Sequence, residues 1–131
     1  MIVLDASAAV ELVLGSRRGV TVAARLRDPA VTLHAPHLLD LEVAQVLRRG
    51  ERDGWLAPRR AAEALADLRD LDVIRYPHHA LLARVWELRH NVTAYDAAYL
   101  ALAEALDAPI LSCDARLASA PGHRARVELV G

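Results

Sequence analysis

Asp5 and Asp114 each end a short apolar run, Met1-Ile-Val-Leu and Pro109-Ile-Leu-Ser-Cys, where a carboxylate is awkward unless something positive meets it. Glu42 interrupts the apolar stripe of one predicted helix, and Asp96 falls in the first turn of another. A single acid in such a place is usually structural. Four of them, spread over 131 residues, point to an acidic pocket that holds a divalent cation. Hard oxygen donors with spare water positions suit Mg²⁺ or Mn²⁺ rather than zinc. A cation of that kind polarises a phosphate, activates water and stabilises the leaving oxygen, so the chemistry inferred is in-line hydrolysis of a phosphodiester.

Each acid also has a plainer reading. Asp5 precedes Ala6-Ser7-Ala8-Ala9 and could cap that helix; Ser7 could hold the Asp5 carboxylate or have no task. Asp114 repeats the arrangement before Ala115-Arg116-Leu117, with Arg116 placed for an ion pair or for a substrate phosphate. Thr93-Ala-Tyr-Asp96 resembles a capping box, with Thr93 at the N-cap and an acid three residues on. Capping does not account for the small residues that follow, Ala97, Ala98, Ala101 and Ala103, which allow close approach to a sheet. Glu42 is the hardest to explain away. Leu38, Leu39, Val43, Val46 and Leu47 make one helical face with Glu42 inside it, and an unpaired carboxylate there is costly. Asp40, at the edge of that face, reads as solvated.

The positioning elements follow from the pattern. Strands are expected at 1–4, 31–34 (before Pro36), 73–76, 109–113 and 126–130. Helices are expected at 6–14, 21–27, 37–52, 58–70, 78–90 and 94–107, with a short helical turn after Asp114. Alternating short strands and helices predict one domain over 1–131, a three-layer α/β/α arrangement with a mainly parallel sheet. Sites in such sheets lie beyond the carboxyl ends of the strands, where Asp5 and Asp114 fall.

Composition bounds the rest. Hydrophobic residues make up 54%, with no Phe, so the core is aliphatic. One cysteine rules out an internal disulfide and favours a reducing cytoplasm; no apolar run approaches a membrane span. There is no Lys and no Gly-rich phosphate loop, which excludes Walker-type chemistry. Net charge is −1, but if four of the 17 acids bind metal, the 16 Arg outnumber the rest by three. A polyanionic substrate is therefore compatible with the charge. His34-Ala-Pro-His37, His78-His79 and Cys113 make no zinc spacing, and the histidines read as loop or surface residues. Arg17-Arg18, Arg48-Arg49 and Arg59-Arg60 read equally as backbone contacts for nucleic acid or as solvated helix ends. Trp55-Leu56, after Gly54 between two helices, reads as an exposed apolar tip for a partner or, more simply, as the packed tip of the helical hairpin.

The motifs Met1-Ile-Val-Leu-Asp5-Ala-Ser7, Leu39-Asp-Leu-Glu42-Val-Ala-Gln-Val-Leu47, Thr93-Ala-Tyr-Asp96-Ala-Ala-Tyr-Leu-Ala-Leu-Ala103 and Leu111-Ser-Cys-Asp114-Ala-Arg-Leu117 occur in order along nearly the whole chain. Together they resemble the PIN-domain ribonucleases, specifically the VapC-type toxins of bacterial toxin–antitoxin pairs. The resemblance implies a parallel sheet flanked by helices and RNA cleavage dependent on one or two Mg²⁺ or Mn²⁺ ions, leaving a 5′-phosphate and a 3′-hydroxyl. It implies a homodimer inhibited by a VapB-type antitoxin. It carries Asp5, Glu42, Asp96 and Asp114 over as metal-binding acids, with Ser7, Thr93 and Arg116 in support. Where some PIN nucleases carry a further acid two residues after the fourth, this chain has Arg116. Two rivals stand beside this reading. An aspartate-nucleophile phosphatase would use Asp5 but wants a second acid where Ser7 stands and a Lys that is missing. A non-catalytic α/β binding module would use the acids only to cap helices and pair with Arg.

Overall fold

The computed structural model describes residues 1–131. Five strands, β1 (Ile2–Leu4), β2 (Leu33–Pro36), β3 (Val73–Tyr76), β4 (Ile110–Ser112) and β5 (Val127–Leu129), form one parallel sheet in the order β3-β2-β1-β4-β5. The helices are α1 (Ala6–Leu14), α2 (Arg17–Arg25), α3 (Leu38–Asp53), α4 (Pro58–Asp70), α5 (Leu82–Glu87), α6 (Ala94–Leu106) and α7 (Ala115–Ser119). Helix α1 packs on α2, α3 and α4, while α5 packs on α6, which lies against β1, β2 and β4. The three-layer α/β/α architecture expected from the alternation is the one found.

Local chemistry sets the boundaries. Gly15 and Gly54 close α1 and α3 in the left-handed conformation, at φ 63° and 85°, and Pro58 opens α4. The second helix starts four residues before the expected Thr21, because the Ser16 hydroxyl accepts the Gly19 N–H at 3.0 Å and caps it. The second strand runs to Pro36 rather than stopping at His34. Within β2, only Leu33 and His34 pair with β1, so the missing N–H of Pro36 costs no bond to β1. The helix expected at 78–90 is shorter. A 3₁₀ turn at His79–Leu81 leads into α5, and only Val85 and Leu88 of this stretch are buried. With so few anchors the chain leaves the helix after Glu87.

Helix α6 is the inner brace. Ala97 through Ala103 are all buried, and the alanines let it lie close on the sheet. Near its end Glu104, with a side chain only 6% exposed, accepts the Arg84 Nε and Nη2 at 2.9 and 3.0 Å and the Arg124 N–H at 3.0 Å. Arg84 holds the Glu104 carboxyl below its ordinary value, so the pairing contributes stability at neutral pH that is lost as pH falls through the carboxylate range. Arg84→Met leaves that charge only the Arg124 N–H and a long, 3.5 Å contact with the Arg124 guanidinium. It is expected to cost about 3 kcal/mol at pH 7, with the deficit narrowing at pH 4. Urea unfolding at the two pH values checks this, and an equal deficit at both would rule out the pairing as its source.

Candidate active site

The carboxyl ends of β1 and β4 adjoin where the strand order turns back on itself, the crevice in which open parallel sheets place ligands. Asp5 and Asp114 follow these two strands. Glu42 comes from the second turn of α3, just after β2, and Asp96 from the first turn of α6. All four line one pocket of about 830 Å³. The acids proposed from the sequence are thus brought together by four separate elements.

Asp5 is 6% exposed. It occupies the N-cap position of α1 but makes no side-chain capping bond, so the capping explanation fails for it. Its Oδ2 instead accepts the hydroxyls of Ser7 at 2.6 Å and Ser112 at 2.7 Å. Each hydroxyl in turn accepts a backbone N–H of the turn after β4: Ser7 from Cys113 at 2.9 Å, Ser112 from Asp114 at 3.0 Å. A hydroxyl has one proton to give, and here both are committed to Asp5. Both land on Oδ2, which leaves Oδ1 as the oxygen available to a cation.

Glu42 sits on the half-buried edge of its stripe. Leu39, Val43 and Leu47 enter the core, whereas Leu38, Glu42 and Val46 line the pocket wall. No arginine meets it. The fully buried Tyr99 on α6 donates its hydroxyl to Glu42 Oε1 at 2.7 Å. Thr93 caps α6 as expected, its Oγ1 accepting the Asp96 N–H at 3.2 Å, while the Asp96 carboxylate lines the pocket. Asp114 does cap its helix: Oδ1 accepts the Arg116 N–H at 2.9 Å. The Arg116–Asp114 ion pair is long, 3.5 Å, and its Arg116 side is almost wholly exposed, the weak kind.

Charge in the pocket is unbalanced. Burial pushes the carboxyls of Asp5, Glu42 and Asp96 up from their ordinary values. Asp114 adds to this for Asp5, and Asp5 adds to it for both Glu42 and Asp96. The Ser7, Ser112 and Tyr99 hydroxyls oppose the effect without cancelling it. Arg18, Arg49 and Arg116 stand among the lining residues, with Arg18 engaged by Glu11 at 3.0 Å. Cys113 also lines the pocket, but burial raises its thiol, which keeps it protonated and a poor ligand.

The donor set fits a hard divalent cation: carboxylate oxygens from four elements, no imidazole in the lining, and mutual repulsion that a cation would relieve. No three His, Cys, Asp or Glu side chains stand close enough together to make a ready-formed cage. Asp5, Glu42, Asp96 and Asp114 are the lining residues that could hold such an ion.

Two residues at the site, Ser112 and Tyr99, were not among those expected from the sequence. Ser112 was visible only as a small polar residue at a strand end. Tyr99 had a fainter signal, three residues after Asp96 and so on the same side of the helix. Two further expectations are corrected. His34 is no loop residue: it is 3% exposed in β2, held by Thr32 Oγ1 at 2.8 Å and Tyr76 Oη at 2.7 Å. Asp40 is not simply solvated, because Arg75 grips it in two-pronged fashion at 2.7 and 2.9 Å. At the helical hairpin tip, Leu56 is buried while Trp55 stays exposed with its ring against Gly50.

A parallel sheet with this strand order and four acids at its carboxyl edge defines a class. The chain belongs to the PIN-domain family, whose model matches residues 2–122. Within that family it groups with the VapC-type proteins. It is 44% identical over 129 residues to Ribonuclease VapC1 of Mycobacterium tuberculosis, covering 98% of this chain and 96% of that one. It is 42% identical over 130 residues to Ribonuclease VapC12 of the same organism, covering 99% of each. Among solved structures, M. tuberculosis VapC20, described as a Sarcin-Ricin loop cleaving toxin, matches with a TM-score of 0.70 at 19% identity, covering 92% of this chain and all of the other. PAE2754 from Pyrobaculum aerophilum matches with a TM-score of 0.68 at 22% identity, covering 96% and 81%. At such identities these two structures speak for the fold alone.

Proposed function

We propose that this chain is a divalent-metal-dependent endoribonuclease, the toxin of a type II toxin–antitoxin pair. The observation that carries the reading is the convergence of Asp5, Glu42, Asp96 and Asp114 on one pocket in which none of the first three is ion-paired and Arg116 only partly offsets the charge on Asp96. The VapC ribonucleases to which the chain is similar support RNA as the substrate. Asp5, Glu42, Asp96 and Asp114 hold one or two Mg²⁺ or Mn²⁺ ions. When bound, such an ion supplies Lewis acidity at the phosphate and at the attacking water. The chain's own part is positional. Ser7 and Ser112 hold the Asp5 carboxylate, Tyr99 holds Glu42, and the Thr93 cap sets the start of α6 and with it Asp96. Arg116, at the pocket mouth, offers a guanidinium to a phosphate. A VapB-type antitoxin, a homodimeric state and a cytoplasmic setting belong to the same proposal; no helix is long and apolar enough to cross a membrane.

Metal binding is tested without turnover. Burial and neighbouring acids raise the Glu42 carboxyl, so its ionisation costs stability as pH rises through the folded-state value and costs none when it is protonated. In metal-free buffer at pH 7, Glu42→Gln is expected to be about 1 kcal/mol more stable than wild type, a gain that closes in acid. Millimolar Mn²⁺ should raise the wild-type melting temperature and reverse the order. Equal response to Mn²⁺ in both chains would remove Glu42 from the ligand set. RNA cleavage that persists in excess EDTA would overturn the metal-dependent reading.

A further inference from the structure

A second groove, of about 710 Å³, opens beside the acid pocket and shares two residues with it, Asp96 and Arg116. Beyond them its polar lining comes from Arg89, His90, Asn91, Thr93 and Ser119, and the rest of its wall is apolar. We propose that this groove carries the RNA strand on one side of the cleaved bond, with Arg89 and Arg116 on successive backbone phosphates. The inference rests on the ribonuclease reading above.

Arg89 is the telling residue. Most arginines near acids here are paired with one, as Arg25, Arg75 and Arg84 are, but Arg89 enters no ion pair. Its guanidinium instead lies over the Trp86 ring, 4.7 Å from the centroid, and Nη1 donates to the Trp86 carbonyl at 2.8 Å. One prong is fixed, and the remaining donors are free for a phosphate oxygen. Arg116 stands between groove and pocket, its only acid contact the long one to Asp114. A polyanion must pass four carboxylates to reach the cleavage site. Cations placed just beyond them offset that repulsion and give longer RNA an advantage that a short fragment lacks.

The test is equilibrium binding of fluorescein-labelled, mixed-sequence single-stranded RNA, as a 4-mer and a 12-mer, to the full chain carrying Glu42→Gln to suppress cleavage. Three salt concentrations are compared. The 12-mer is expected to bind more tightly. Adding Arg89→Gln should weaken 12-mer binding about fivefold, lower the salt slope by about 0.7, and leave the 4-mer within twofold. Arg59→Gln, on the outer face of α4 and paired with Glu63, should do none of this. A 12-mer advantage untouched by Arg89→Gln, or an equal loss on both lengths, overturns the groove assignment. Cleavage of total RNA by the wild-type chain, scored alongside, separates the failures. Cleavage with an indifferent Arg89 sinks the groove alone, whereas no cleavage and no binding sinks both readings.

Discussion

RNA cleavage by the Asp5→Asn chain is expected to fall at least about 10³-fold in saturating Mg²⁺, the largest effect of any substitution in the pocket. The size follows from how Asp5 is held. Ser7 and Ser112 both donate to Oδ2, and both receive backbone N–H groups, so neither can turn its proton elsewhere cheaply. An asparagine must therefore set its carbonyl oxygen where Oδ2 was. Its NH₂ group then occupies the Oδ1 position and presents two donors where a cation needs an acceptor. The substitution removes a charge and also points the wrong chemistry at the ion. Ser112→Ala, which frees the carboxylate without removing it, should cost about 10–100-fold. Single-turnover cleavage of RNA checks both, with melting temperatures to confirm that the fold persists. Wild-type turnover by Asp5→Asn would sink the assignment of Asp5.

Gly19→Ala is expected to destabilise the chain by about 2–3 kcal/mol. On helix propensity alone the change should help, since Ala is favoured over Gly in a helix interior by about 1 kcal/mol. Space decides the other way. A Cβ on Gly19 would lie 2.6 Å from the Glu11 carbonyl carbon and nearer still to its oxygen. That neighbour is backbone of α1 and has no rotamer to change. The α1–α2 pair must separate, which disturbs the buried Val22 and the Ser16 cap together. Because Asp5 stands at the N-cap position of α1, cleavage should suffer as well. Urea unfolding gives the answer, and a Gly19→Ala chain more stable than wild type would show the contact to be yielding.

Of the candidate site, the acids were legible in the sequence because each stands at a place where local pattern already makes a charge conspicuous. Glu42 was the most informative, although the structure moves it from the middle of the apolar stripe to the pocket-facing edge. The capping readings divided case by case. Asp114 caps α7 and Thr93 caps α6, but Asp5 does not cap α1 with its side chain. Local sequence could not separate these outcomes, because Asp5 was claimed by Ser112, 107 residues away. Tyr99, Ser112, the buried His34 and the Arg75 grip on Asp40 were hidden for the same reason: each depends on a partner from another element.

By itself the sequence determined the alternation of strands and helices, the parallel sheet, the aliphatic core, and the four acids with their order along the chain. These are matters of period, propensity and local spacing, which act within a few residues. Only the tertiary structure decided that the four acids share one pocket, which oxygen of Asp5 is tied down, and that Tyr99 rather than an arginine meets Glu42. It also placed Arg116 between the acid pocket and the groove that leads to Arg89. These are matters of which elements adjoin across the sheet. The burial that brings them together also raises the carboxyls of Asp5, Glu42 and Asp96, whose mutual repulsion the proposed cation would relieve.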